Sequence, residues 1–194
     1  MMVVGLLQDM RETYLHDASV NMLWPLLNRQ ARALSAVADM YMQLGHMRKS
    51  VAAARAALQK AMDMGNVRAG HADYEGYTQT RVICLRTLSE SLSGLQNDAS
   101  FNESIATIQE AVIIAEKLYS ESVVETTRNA MLLVECLVSQ LRKVPDALAS
   151  ILLSRRIRDV CSANSLPIES GLEQILLHYE RKSSQTPMNI DSLS

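Results

Sequence analysis

Apolar positions along the chain recur every three to four residues rather than every two. Leu34, Val37, Ala38 and Tyr41 do so in one stretch, Leu85, Leu88 and Leu92 in another, and Ala130, Leu133, Val134 and Leu137 in a third. That period lines one face of an α-helix. Alternating runs of β-branched and aromatic residues, the mark of half-buried strands, are hard to find. Read with the punctuation between them, the periodic stretches predict about eight helices.

The first covers residues 2–15 and breaks at His16-Asp17-Ala18-Ser19, where Asp17 or Ser19 suits an N-cap. The second is entered through Pro25, since proline fits a first helical turn, and runs to Leu44 before Gly45. The third spans Met47 to Met64 and stops at Gly65-Asn66; residues 66–76 read as a loop, or as a loop with a frayed helix start. A fourth helix runs from Tyr77 to Leu95, followed by a turn at 96–99. Ser100 with Glu103, and Ser122 with Glu125, form capping-box patterns that open a fifth helix ending near Tyr119 and a sixth reaching Leu141. Pro145 starts a seventh, to Ser162, and Pro167 an eighth, to Lys182. The polar segment 183–194, with Pro187, is predicted to be a disordered tail beyond one helical domain over 1–182.

Composition strengthens this picture. Good helix formers dominate, with 11 methionines and only seven glycines and four prolines, so the chain is expected to be all-α. Long helices joined by mostly short turns predict antiparallel hairpins. At 194 residues, 48% hydrophobic and 21% charged, the chain has an ordinary globular composition and room for one sizeable core.

Small residues add a second pattern. Ser50 and Ala57, Ser104 and Ala111, and Ala147 and Ser154 are each seven apart, two helical turns on one face. Small side chains there let two helix backbones approach closely. From Leu34 to Leu58, the series Leu34, Val37, Ala38, Tyr41, Gly45, Met47, Ser50, Ala54, Ala57 and Leu58 resembles the tetratricopeptide repeat. It departs at Met47 and Ala54, where that family more often carries an aromatic. A second, looser copy holds Leu85, Leu88, Ser89 and Leu92, then Phe101, Ser104, Ala111 and Val112. The turn between those helices has no glycine at the usual spot. A third, looser still, holds Ala130, Leu133, Val134 and Leu137, then Ala147 and Ser154. The copies are spaced 54 (Ala57 to Ala111) and 43 (Ser104 to Ala147) residues apart, against a family period of about 34. The likeness is thus to long-repeat members, whose helix starts are similar to Ala31-Arg32-Ala33-Leu34.

This resemblance implies antiparallel hairpins stacked as a right-handed superhelix, whose first helices line a concave groove that binds a protein or peptide. Carried over position by position, the groove residues are Arg32, Ser35, Asp39 and Gln43, then Arg86 and Glu90, then Arg128, Met131 and Glu135. A mixed-charge groove suits a helical or extended peptide bearing both signs. Asp39 stands where the carboxylate-gripping subset would want Asn, so an acidic C-terminus is disfavoured as ligand. Met40, Met42, Met47, Met62 and Met64 crowd the first hairpin, as core filler or, if exposed, as an adaptable surface. The apolar start, with Val3, Val4, Leu6 and Leu7, either caps the array or docks on another subunit of a larger assembly; a terminal cap needs a polar outer face, which favours docking.

The remaining chemistry points away from other classes. A net charge of -2 does not favour nucleic-acid phosphates, and the basic cluster Arg155, Arg156 and Arg158 reads as a solvated face. No stretch approaches the roughly 18 apolar residues of a membrane span. Cys84, Cys136 and Cys161 form no CxxC and read as small apolar residues in a reducing compartment, cytoplasm or nucleus. His16, His46, His71 and His178 show no metal spacing; His71, Asp73 and Glu75 read as a polar loop. No phosphate-binding loop or nucleophile elbow occurs, so neither an enzyme nor a cofactor is expected. The competing reading is a helical-bundle regulatory domain that acts by dimerising.

Overall fold

The computed structural model describes the backbone of residues 2–64, 74–121 and 126–184, with side chains from Leu23 onward in those stretches, Glu180 and the residues after Arg181 aside. The chain is all-α. Among the described residues there are seven helices and no strand: α1 (Met2–Gln43), α2 (Met47–Asp63), α3 (Tyr74–Ser93), α4 (Asp98–Glu121), α5 (Thr126–Leu141), α6 (Ala147–Ala163) and α7 (Ser170–Ser184). They gather into two compact units, Met1–Ser91 and Leu92–Ser194. In the first, α1 packs along α2; in the second, α4 packs on α5, α5 on α6 and α6 on α7.

The largest departure from expectation is α1. It is one 42-residue helix that runs through 16–19 and carries Pro25 in its interior. Segment 16–19 holds neither glycine nor proline, so nothing in it forbids a helix. Proline costs an interior helix about 3 kcal/mol. Burial beside it works against that cost. Trp24 meets Tyr77 edge-on at 5.7 Å between centroids, and Leu27 and Ala31 join Ala57, Ala61, Met64, Tyr77 and Cys84 in one core cluster. The apolar start and its side chains lie outside the residues whose side chains are described.

The turn after α1 forms as expected. Gly45 adopts φ +75°, its amide donates to Met42 O at 3.0 Å, and that of His46 donates to Tyr41 O at 2.8 Å. Both bonds satisfy the last carbonyls of the helix. The same pair recurs after α6, from Ser165 to Ser162 O (3.2 Å) and Leu166 to Cys161 O (2.9 Å), but there Ser165 holds the left-handed position at φ 52°. Gly45→Ala is expected to lower stability by about 1 kcal/mol from backbone strain alone, since open space surrounds the added Cβ. Ser165→Gly is expected to raise it by about 0.5 kcal/mol, glycine's larger unfolded-state entropy taking back part of the relief. Urea midpoints of the two variants check both signs.

Several helix starts differ from the predicted ones. The cap of α4 is Asn97, whose Oδ1 accepts from Ser100 N at 2.9 Å, so Ser100 is already helical and does not form the box with Glu103. The cap of α6 is Asp146, one residue past Pro145, with Oδ2 accepting from Ala149 N at 2.8 Å. Tyr74, Glu75 and Gly76 belong to α3, and α7 begins three residues after Pro167 and includes Ser183 and Ser184. The Ser122–Glu125 box, the 65–73 connection and the 185–194 tail lie outside the described residues.

Small residues do sit where helices touch. Ala38, Ser50, Ala54, Ala57, Ser104, Ala111 and Ser154 are fully buried. Ser50 Oγ donates to Ala38 O across the α1–α2 seam at 2.8 Å and lies 2.7 Å from Ser91 Oγ of α3. In the second unit Ser93 Oγ donates to Ser104 Oγ at 3.0 Å. Two expected space-fillers instead face outward: Val37, 39% exposed, and Phe101, 41% exposed. Val37 sits about 100° round the helix from Ala38, and Phe101 lies in the first turn of α4, before its buried stripe begins at Ser104.

Candidate functional site

In the first unit, α1 and α3 bring three predicted positions together. Asp39 is half-buried, and its carboxyl is pushed above the ordinary value by burial first and by the negative charge of Glu90 second, with Arg86 pulling the other way. One acid of α1 thus faces a base and an acid of α3. Further along the same seam Arg32 Nε donates to Thr80 Oγ1 at 3.1 Å, and Thr80 donates to Asn28 Oδ1 at 2.5 Å. Gln43 is exposed at the last residue of α1.

Ser35 is a correction. It is 3% exposed and its Oγ lies 3.4 Å from Cys84 Sγ, so α3 covers it and no partner reaches it. The resemblance that assigned it to the groove carries no information on how deeply α3 covers that position. Cys84 gains nothing as a nucleophile. Burial pushes its thiol up, against the smaller opposing effects of the Ser35 bond and the Arg32 charge.

The Asp39 shift has a sign that can be checked. Its folded value stands above the ordinary 3.8, so the folded chain binds this proton more tightly than the unfolded chain. The resulting stabilisation is present below the unfolded value and is lost as pH rises through the folded one. Asp39→Asn is therefore expected to raise the urea midpoint at neutral pH, by less than about 1 kcal/mol for so accessible a group. At about pH 3, where both states hold the proton, the midpoint should not move.

In the second unit, Arg128, Met131 and Glu135 follow one another at helical spacing along the outer face of α5, all exposed. Met131 and Glu135 line a cleft of about 260 Å³ with Val134, Cys161 of α6, Leu166 and Pro167 of the following turn, and Glu169 and Leu172 at the start of α7. Arg158 braces that start, donating through Nη1 to Glu173 Oε2 at 2.9 Å and through Nη2 to Oε1 at 3.0 Å. The bidentate bond holds Glu173 below the ordinary carboxylate range, outweighing the desolvation that opposes it. Sequence reasoning missed the Leu166, Pro167 and Leu172 wall. The apolar pair just past a helix end was its signal, and Pro167 was read only as a helix opener.

Of the basic cluster, Arg158 is engaged with Glu173, Arg156 Nε lies 3.9 Å from Glu116 Oε1, and Arg155 is exposed. Cys84, Cys136 and Cys161 are free thiols, all buried. Among the described residues no group of three or more His, Cys, Asp or Glu could hold a metal ion; His71 and Asp73 lie outside them, and Glu75 is in α3. Among the same residues, no helix is long and apolar enough to cross a membrane. The first-hairpin methionines divide: Met64 is buried, Met42 and Met47 half-buried, Met40 and Met62 exposed.

Fold and surface together define a class, an all-helical protein of packed helix pairs whose helix faces carry mixed charge and, in the second unit, an apolar cleft. Compared with known proteins, the chain matches no family model, no curated protein and no solved structure.

Proposed function

We propose that this chain is a non-enzymatic protein-interaction module of tetratricopeptide-like build, which holds a peptide or a partner subunit against the exposed faces of its helices. The meeting of Asp39 with Arg86 and Glu90 across α1 and α3 carries the reading. These are positions that the resembled family uses for contact, and two helices present them side by side. A strip of both signs at the surface selects partners by charge register, and paired parallel ridges suit a helix or an extended segment laid along them. Arg32 and Gln43 extend the strip along α1, and Arg128, Met131 and Glu135 are the corresponding positions of α5.

Selection of a random displayed-peptide library on the immobilised chain tests the reading. Peptides recovered are expected to lose roughly tenfold or more in affinity to Arg32→Glu or Glu90→Lys, with circular dichroism unchanged. Recovery of no peptide, or of peptides indifferent to both substitutions, would count against it. Light scattering on the same sample addresses the competing reading, for which a concentration-dependent dimer without selected peptides is the signature.

A further inference from the structure

We propose that the exposed face of α1 between Leu23 and Leu44 pairs with the same face of a second copy of this chain, the two helices running antiparallel. This goes beyond the peptide-binding reading and does not depend on it.

Spacing is the first argument. One face of α1, with Leu27, Ala31 and Ala38, is buried in the first unit. A second face holds Leu23, Leu26, Gln30, Ala33, Val37 and Met40, every one of them exposed, and Leu44 just past the helix end continues it. The steps alternate between three and four residues, so the stripe completes three seven-residue repeats. A strict seven-residue stripe drifts about 20° per repeat on a straight helix and stays continuous only against a second helix wound along it. The occupant is therefore a helix, docked along about 32 Å.

Area and charge narrow the occupant. Five large apolar side chains of the stripe are 39–66% exposed, an unusual run for a surface that meets only water. A seam of that length and one helix wide removes on the order of 1,200 Å² between two copies, enough for a stable dimer. None of its positions is charged, so a foreign helix finds no charge to match, whereas a second copy brings a neutral stripe of equal length and period.

Side-chain size sets the direction. Antiparallel, with Gln30 opposite Ala33, the layers are Leu23 on Met40, Leu26 on Val37 and Gln30 on Ala33, each formed twice. Large meets large, and the one long polar chain meets the smallest, so the seam fills evenly. A parallel pair would face Ala33 with Ala33, leaving a gap beside a crowded Gln30 layer. Read toward the start of α1, the same register falls on Asp9 and Glu12, and a parallel pair would set each acid against its own copy. Pro25 falls off the stripe, near its end.

Light scattering of the full chain over a concentration series tests this, and a dimer is expected. Val37→Glu, at an exposed position, should weaken the dimer at least about a hundredfold, since each dimer would bury the charge twice, with circular dichroism unchanged. Ile113→Glu, at a 68% exposed apolar residue outside the stripe, should leave it intact. Direction is read by disulfide capture, the native thiols being buried. Leu23→Cys mixed with Met40→Cys should cross-link, and Leu23→Cys alone should not, its two copies lying about 26 Å apart. A monomer at every concentration, or a dimer indifferent to Val37→Glu, would overturn the proposal. Self-linking of Leu23→Cys would overturn the antiparallel arrangement. Arg32 and Glu90 lie outside the stripe, so peptide selection and dimerisation succeed or fail separately.

Discussion

Ser50→Leu is expected to destabilise the chain by about 3 kcal/mol or more, whereas Ser50→Ala should cost about 1 kcal/mol. The contrast separates volume from hydrogen bonding at the point where α1, α2 and α3 meet. Ser50 is fully buried; its hydroxyl donates to Ala38 O at 2.8 Å and touches Ser91 Oγ at 2.7 Å. Ser91 also reaches Thr87 O at 2.8 Å. Two hydroxyl protons thus serve three contacts. Removing the Ser50 hydroxyl leaves Ser91 with Thr87 O as acceptor, and no buried donor is orphaned. Leucine has nowhere to go, because the carbonyl of α1 and the hydroxyl of α3 stand within hydrogen-bond distance of the Ser50 side chain. The helices would have to move apart along a seam whose other members, Ala38, Ala54 and Ala57, are also fully buried. Urea denaturation of the two variants decides the matter. Midpoints for leucine and alanine that agree within about 0.5 kcal/mol would show that the seam is not volume-limited.

In the second unit the largest loss is expected from Ile157→Ala, about 3 kcal/mol, with Ser154→Ala neutral or stabilising by about 1 kcal/mol. Ile157 is fully buried on the inner stripe of α6, which also holds Ser150, Ser154, Val160 and Cys161. Truncating it removes three methyl or methylene groups from water-free packing and opens a cavity between backbones that cannot close on it. Ser154 is one turn away and fully buried, and among the described residues its Oγ has no hydrogen-bond partner. A buried hydroxyl without a partner carries a desolvation cost that alanine does not. Thermal or urea unfolding of the two variants reads opposite signs from neighbouring positions. A clear loss of stability in Ser154→Ala would mean that the hydroxyl finds a partner in solution.

Short-range physics made much of this protein legible from its residues in order. The helical period of Leu85, Leu88 and Leu92, or of Ala130, Leu133 and Leu137, needs no tertiary contact to appear, and all of these side chains are buried. Gly45 is another local feature, since only a residue free of a Cβ enters φ +75° without strain. Buried Ser50 with Ala57, and Ser104 with Ala111, were readable because a small side chain repeated on one helix face has few uses besides close approach. For the candidate site, Asp39, Arg86, Glu90, Met131 and Glu135 came only from the resemblance to the repeat family; the approach of Asp39 to Arg86 and Glu90, and the cleft beside Met131 and Glu135, are features of the fold.

Tertiary structure decided what spacing cannot express. Local rules make Pro25 a helix start. In the fold it sits inside α1, next to the burial of Trp24 and Leu27 against residues some fifty positions away. Asn97 rather than Ser100 caps α4, because both side chains could accept amides at that start and geometry chooses between them, and Asp146, just past the proline read as the opener, caps α6. Ser35 lies on the correct face of α1 but beneath Cys84 of α3, since how much of a face a neighbour covers depends on where that neighbour packs. The Leu166–Pro167–Leu172 wall comes from a turn and a helix start folded back on α5, contacts between residues more than thirty apart that no pattern along the chain records. Sequence by itself determined that the chain forms helices and which stripe of each is apolar, because those depend on neighbours within two turns; where the stripes meet, and so which positions stay open to a partner, depends on the packing of distant segments.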